Sequence, residues 1–147
     1  MRSIEHIVVH CSATSPFATV EAIQRYWREV LGWKRPGYHV IIKCNGEAVR
    51  LAPDDMVVNG AKGYNAHALH VCYIGGVRPG KEAGEPVAHD TRTPQQVEAL
   101  YRQVQAWKRE HPRAKVLGHR DLPGVTKECP SFDAVDEYRH LTVTAAV

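Results

Sequence analysis

The β-branched run Ile7-Val8-Val9 near the start of the chain limits the possible folds more than any other stretch. β-Branched residues favour strands, and an apolar run without polar alternation suits a strand that is covered on both faces of a sheet. Because side chains alternate between the two faces of a strand, His10 is expected on the same face as Val8, where the strand ends and a loop begins. The sequence therefore predicts a central strand whose last residues meet loops and solvent.

Helical and strand patterns follow each other along the rest of the chain. Apolar residues at spacings of three and four predict one helix after Thr19 and another that begins after Thr93 and runs to about Glu110. Further elements are predicted as strands over residues 38–43, 47–51, 69–74 and 115–117, a third helix over residues 132–141, and an exposed loop over residues 78–92. This order predicts an α/β (α+β) fold with a central mixed β-sheet flanked by helices. The length of 147 residues suits one domain, so we expect residues 1–147 to form a single domain.

Each predicted helix carries one apolar stripe that should face the sheet. The stripe of the first helix consists of Val20, Ile23, Trp27, Val30 and Leu31. The stripe of the second consists of Val97, Leu100, Tyr101, Val104 and Trp107, and that of the third of Phe132, Val135, Tyr138 and Leu141. The second helix also begins with a capping-box pattern, in which Thr93 and Gln96 are expected to satisfy each other's backbone N–H groups.

Composition and charge exclude several classes of protein. Hydrophobic residues make up 44% of the chain and charged residues 24%, as in ordinary globular proteins. The net charge of +3 is too small to indicate nucleic-acid binding. Charges interrupt the N-terminal apolar run, and no stretch approaches the roughly 18 apolar residues that span a bilayer, so we expect cytoplasmic synthesis without a signal peptide or membrane insertion. The four cysteines form no Cys-x-x-Cys pair, and reduced thiols are expected.

The loop over residues 118–133 concentrates residues that packing does not require. It holds His119, Lys127 and Cys129. His10 and His119 each follow an apolar run and precede a loop, so both could point into one cleft at the edge of the sheet. Two imidazoles and a thiolate form a Cys-His-His set, which leaves a fourth position open as in catalytic zinc sites. An alternative is a cysteine hydrolase in which Cys129 is the nucleophile and His119 the base.

Several longer stretches match one enzyme family. They are Val9-His10-Cys11-Ser12-Ala13-Thr14, Gly37-Tyr38-His39-Val40-Ile41-Ile42-Lys43, Asn45-Gly46, Ala61-Lys62-Gly63-Tyr64-Asn65, Gly118-His119 and Lys127-Glu128-Cys129-Pro130-Ser131-Phe132-Asp133. On these residues the chain resembles the zinc-dependent N-acetylmuramoyl-L-alanine amidases of the type-2 amidase family, and especially its phage lysozymes (endolysins). The resemblance implies the fold that the family shares with peptidoglycan recognition proteins. It also implies hydrolysis of the amide between N-acetylmuramic acid and L-alanine in bacterial peptidoglycan.

The resemblance also implies roles for individual residues. Those that match the family's Zn²⁺ ligands are His10, His119 and Cys129. Those that match its catalytic residues are Tyr38 and Lys127, and those in a segment that lines the substrate cleft are Lys62 and Asn65. A non-catalytic peptidoglycan-binding module is the alternative within the same fold.

Two positions depart from the family pattern. Close relatives often carry a histidine before Ala-Lys-Gly, where this chain has Gly60. They often read Ser-Ile-Gly at the start of the following strand, where this chain reads Ala-Leu-His and ends on His70. From the sequence we assign no function to His67 or His70, and we expect a structural role for His39 because it alternates to the face opposite Tyr38.

The resemblance extends to partners and to the place of action. Bacterial peptidoglycan is the implied substrate, and the implied route to it is release through a separate membrane lesion. Some phage enzymes of this type also bind and inhibit a polymerase, so a host or phage polymerase is a further candidate partner.

Overall fold

The computed structural model describes residues 2–81 and 84–141, and its centre is a five-stranded mixed sheet in the order β3-β2-β4-β1-β7. The strands of this sheet are β1 (His6–Cys11), β2 (Val40–Ile42), β3 (Ala48–Arg50), β4 (Ala68–Tyr73) and β7 (Lys115–Gly118). Strand β1 runs parallel to its neighbours β4 and β7, β2 runs parallel to β4, and β3 is antiparallel to β2. The helices are α1 (Val20–Glu29), α2 (Pro94–Glu110) and α3 (Ala134–Glu137). The predicted fold class, a mixed sheet flanked by helices, is confirmed.

One face of the sheet carries the largest apolar cluster. Ile7 and Val9 of β1 are fully buried there, and they belong to one cluster with Leu100 and Val104 of α2. Tyr138, just after α3, completes the cover of this face. The alternation that the sequence predicts for β1 is therefore confirmed, since Val8 belongs to a different cluster.

The opposite face is covered in two parts. Helix α1 covers one part, where Ile23 and Trp27 pack with Ile41 of β2. Loop residues, among them Ala61, cover the other part around Val8. The face that carries Val8 also carries His10, and the active-site candidates are found at its edge.

Both long helices begin as the sequence predicts. The Thr19 side chain accepts a hydrogen bond from the backbone of Ala22 at 3.1 Å and caps α1. At α2, Thr93 and Gln96 form the complete capping box. The Gln96 amide also donates to the carbonyls of Ile42 and Ile74, at 3.3 and 3.1 Å, and joins the start of α2 to the sheet.

The predicted exposed loop over residues 78–92 is wrong in part. It contains a two-stranded antiparallel hairpin, formed by β5 (Val77–Pro79) and β6 (Pro86–Ala88). Both strands are largely exposed, so no burial requires the alternation of apolar and polar residues by which strands are recognised in a sequence. Residues 82 and 83, inside the same predicted loop, lie outside the described residues.

Parts of the predicted stripes are also wrong. Val30 and Leu31 are exposed because α1 ends at Glu29. In the first turn of α2, Gln96 faces the core and its amide donates to two carbonyls, whereas Val97 is exposed. The third helix is a single turn over Ala134–Glu137, which leaves Val135 exposed while the other three members of its stripe are buried. Residues 142–147 lie outside the described residues.

No helix within residues 2–81 and 84–141 combines the length and the apolar character that crossing a membrane requires.

Candidate active site

His10 and His119 meet because their strands are parallel neighbours. The register of β1 and β7 pairs Val9 with Gly118, so the next residues, His10 and His119, lie side by side at the carboxyl ends of the two strands. The centroids of the two imidazole rings are 4.7 Å apart. His10 is almost fully buried and His119 is half-buried. The carboxyl ends of parallel strands thus deliver both histidines to one site.

The loop that carries Cys129 is anchored to the same edge. The backbone carbonyl of Cys129 accepts a hydrogen bond from the Arg120 amide at 2.8 Å. The hydroxyl of Tyr73, at the end of β4, donates to the Pro130 carbonyl at 2.6 Å. A side chain on Gly118 would lie 2.6 Å from Pro130 Cδ, so the glycine permits this close approach. The loop is held with Cys129 beside the ends of β1 and β7.

The ligand atoms of His10, His119 and Cys129 lie within 4.8 Å of one another. His10 Nδ1 faces Cys129 Sγ at 3.8 Å. Zinc bonds of about 2.1 Å to nitrogen and 2.3 Å to sulfur, at a tetrahedral angle, separate two such ligand atoms by about 3.6 Å. The donor types and their spacing therefore fit Zn²⁺ with three protein ligands.

The remaining site residues predicted from the sequence lie at different distances from this cluster. The Tyr38 ring lies beside His10, with centroids 4.9 Å apart, and it also contacts Trp27. Lys127 is exposed, two residues before Cys129. Lys62 is also exposed, and the Asn65 side chain accepts a hydrogen bond from the Ala61 amide at 2.8 Å, which closes its own loop.

The family model described as N-acetylmuramoyl-L-alanine amidase matches residues 1–132, which is most of the chain. The chain belongs to this amidase family.

Individual relatives agree with the family match. The endolysin of Enterobacteria phage K11 is 36% identical over 126 residues, which cover 85% of this chain and 79% of that protein. The endolysin of Escherichia phage T7 is 36% identical over 133 residues, which cover 89% of this chain and 83% of that protein. The chain is therefore an N-acetylmuramoyl-L-alanine amidase of the phage endolysin type, and peptidoglycan is its substrate.

Solved structures show the same fold. The amidase LysC from Clostridium intestinale has a TM-score of 0.73 at 24% identity, over 92% of this chain and 82% of that one. The Drosophila peptidoglycan recognition protein PGRP-LB has a TM-score of 0.70 at 18% identity, over 95% of this chain and 82% of that one. The fold that the sequence resemblance implies is confirmed.

The amidase keeps its two site histidines neutral. Burial lowers the pKa of His10 well below its usual value, and the nearby His70, His119 and Lys127 lower it further. Burial and the charge of Lys127 also lower the pKa of His119. Neutral imidazoles are the form that binds a metal ion, so burial prepares both side chains for that role.

The site cysteine is paired with a second thiol. The hydrogen bond with Cys11, together with burial, raises the pKa of Cys129 well above its usual value, while the same hydrogen bond lowers the pKa of the Cys11 thiol to about 7. A nucleophilic cysteine needs a lowered pKa of its own. The cysteine-hydrolase alternative leaves His10 without a role, although its ligand atom lies in the same cluster, whereas a bound metal ion would use all three side chains and deprotonate the Cys129 thiol directly.

Tyr38 is suited to donate a hydrogen bond. Burial raises the pKa of its hydroxyl well above the usual value, and the neighbouring thiols of Cys72, Cys129 and Cys11 raise it further. The hydroxyl therefore keeps its proton at neutral pH.

The sequence interpretation missed His70, which touches the site directly. Its Nδ1 lies 2.8 Å from His10 Nε2, and the ring is fully buried on the face that also carries His10. The signal in the sequence was the coincidence of two departures from the family pattern, at Gly60 and at His70. Nothing in the sequence places those two positions in contact.

Proposed function

We propose that this amidase depends on Zn²⁺ and that His10, His119 and Cys129 are its zinc ligands. The observation that supports this most is the arrangement of three ligand atoms within 4.8 Å of one another, brought together from the two ends of the chain. The set has the number and types of ligands found in catalytic zinc sites, which keep one position open.

In the proposed mechanism the bond hydrolysed is the amide between the lactyl group of N-acetylmuramic acid and L-alanine. A Zn²⁺ ion held by His10, His119 and Cys129 would supply a Lewis acid for water and for the scissile carbonyl. The ammonium group of Lys127 stabilises the negative charge that develops on the carbonyl oxygen. The Tyr38 hydroxyl, protonated at neutral pH, donates a hydrogen bond to the same oxygen or orients the attacking water.

The substrate side of the proposal involves the loop over residues 61–65. Asn65 holds this loop closed through the Ala61 amide. The exposed Lys62 is then available for contact with the polar glycan or peptide. We propose further that residues 1–147 form one catalytic domain, made in the cytoplasm and released to the cell wall. A polymerase partner stays a prediction from the resemblance alone.

The experiment is mass analysis of the products from purified peptidoglycan, combined with zinc removal. We expect free stem peptides that begin with L-alanine, loss of their release in a chelator, and recovery when Zn²⁺ is returned. The Cys129→Ser variant should lose both bound zinc and activity, while Cys44→Ser, half-buried and outside the cluster, keeps both.

Two results would contradict the proposal. Full activity in protein shown to hold no zinc would exclude the metal mechanism. Reducing sugar ends in place of free stem peptides would indicate a glycosidase.

A further inference from the structure

We propose that His70 is a positioning residue for the zinc ligand His10, and that Gly60 provides the space that His70 occupies. This inference rests on the zinc site proposed above. His70 would not touch the metal or the substrate. Its hydrogen bond would set the tautomer and the orientation of the His10 ring.

The contact between the two rings is short and buried. His10 Nε2 and His70 Nδ1 are 2.8 Å apart, and both side chains are almost fully excluded from solvent. The register of β1 and β4 pairs Val8 with His70, so His70 is the diagonal neighbour of His10 on the same face of the sheet. The sheet itself thus brings the two imidazoles together.

The direction of this hydrogen bond follows from the chemistry of imidazole. His10 Nδ1 faces Cys129 Sγ, and a neutral imidazole binds a metal ion only through its unprotonated nitrogen. The proton of His10 therefore belongs on Nε2, which donates to His70 Nδ1. The reverse arrangement, with His70 donating, would put the His10 proton on Nδ1 and block metal binding.

Stability does not account for the position of His70. The proton that remains on its ring is carried by Nε2, which is buried and has no hydrogen-bond partner among the described residues. An unsatisfied buried donor costs free energy, and an apolar side chain would avoid that cost. The bond to His10 is the reason that we infer for keeping an imidazole there.

His39 supports the position of His70 in the sheet. The backbone amide of His70 donates to His39 Nδ1 at 3.0 Å, and the two rings lie parallel with centroids 6.0 Å apart. His39 Nε2 lies 2.8 Å from the carbonyl of Met56 and donates to it. His39 is thus fixed on both sides, as the structural role predicted for it requires, and it supports the strand position from which His70 reaches His10.

Gly60 is the second half of the arrangement. A Cβ at this position would lie 2.4 Å from His70 Nδ1 and 2.6 Å from its Cγ, which is far inside contact distance. Any side chain at residue 60 would therefore displace the ring from His10. The two departures from the family pattern are in direct contact, and the absence of a side chain at one position permits the imidazole at the other.

Zinc ligands generally depend on such partners. A metal-bound histidine usually donates its second nitrogen to an acceptor, and loss of that acceptor typically lowers metal affinity by about 10- to 100-fold. Carboxylates and carbonyls are the usual acceptors, and here the acceptor is a second neutral imidazole.

The test compares two variants of nearly equal shape in the full chain. Asparagine keeps an acceptor oxygen where His70 has Nδ1, whereas leucine has a methyl group there. We expect His70→Leu to bind Zn²⁺ about 10- to 100-fold more weakly than wild type in competition with a chromophoric chelator. His70→Asn should stay within about threefold of wild type, because it keeps the acceptor. Nitrogen-15 NMR of the zinc-loaded wild type should show the His10 proton on Nε2.

Gly60→Ala provides an independent test that leaves the imidazole in the chain. It should weaken zinc binding about as much as His70→Ala does. In the His70→Ala background, where the ring is gone, it should have no further effect. Thermal unfolding of each metal-free variant identifies losses that come from misfolding.

Three results would overturn the inference. Wild-type affinity in His70→Leu would show that the hydrogen bond does not position His10. Equal losses in His70→Leu and His70→Asn would show that only the volume of the ring matters. If the wild-type protein bound no zinc at all, the proposed function would fail together with this inference. The first two results overturn the inference alone.

Discussion

At the scale of single residues, histidine takes different roles according to its surroundings. His10 and His119 face Cys129 at the edge of the sheet, His70 contacts the far side of His10, and His39 is held between β4 and the loop at Met56. Lys127 is exposed, and its positive charge acts on the same site because it lowers the pKa of both His10 and His119. Function at this scale depends on which atoms face each other.

Replacement of Lys127 should affect the chemical step and leave metal binding intact. We expect Lys127→Met to lower kcat by about 100-fold with little change in KM, because a charge that stabilises the developing oxyanion acts mainly in the transition state. Zinc content, measured by atomic absorption, should equal that of wild type. Lys34→Met, at an exposed lysine elsewhere, is the control. Wild-type turnover in Lys127→Met would remove this residue from the mechanism.

At the scale of elements, the start of α2 joins a helix to the sheet through one side chain. Gln96 completes the capping box with its oxygen and donates to the Ile42 and Ile74 carbonyls with its nitrogen. The Ile42 carbonyl lies at the end of β2 and the Ile74 carbonyl just after β4, where the chain leaves the sheet. A polar residue thus occupies an inward position in an otherwise apolar stripe.

Substitution of Gln96 should therefore be costly for stability. Gln96→Met keeps a similar length but leaves the Ile42 and Ile74 carbonyls and the Thr93 amide without this partner, and we expect a loss of about 2 kcal/mol in the free energy of unfolding. Urea unfolding at neutral pH measures it. Gln95→Met, at the exposed neighbouring position, should change the free energy by less than about 0.5 kcal/mol. Equal effects of the two substitutions would contradict the role assigned to the buried amide.

At the scale of the whole molecule, the site depends on the complete sheet. His10 comes from the first strand, His119 follows the last strand, and Cys129 lies in the loop after it. These residues are far apart in an unfolded chain, so the complete site exists only in the folded protein. Binding at such a site stabilises the folded state.

Zinc should therefore raise the thermal stability of the enzyme. At free zinc of about 100 times the dissociation constant the gain is about 2.7 kcal/mol, which corresponds to a rise in Tm on the order of 5 to 10 °C. Differential scanning calorimetry of metal-free and zinc-loaded protein measures the rise. The His119→Ala and Cys129→Ser variants should show a much smaller rise. A rise of the same size in either variant would mean that zinc binds elsewhere.

Much of the fold could be predicted because the signals are local. Apolar spacing and capping residues predict α1 and α2, and the run before His10 predicts a central strand, since helix and strand periods are properties of neighbouring residues. The β5–β6 hairpin was missed because exposed strands need no apolar alternation. The third helix was predicted too long because its stripe continues through Tyr138 and Leu141, which are buried beyond the single helical turn.

The sequence by itself determined the residue types of the site and the edge of the sheet at which they lie. A histidine that ends an apolar strand must emerge at that strand's carboxyl end, and this holds for His10 and for His119. Only the tertiary structure decided that β4 pairs with β1 and that the His70 ring lies against both His10 and Gly60. Strand order and contacts across the sheet depend on how distant segments pack, and no local pattern encodes that packing.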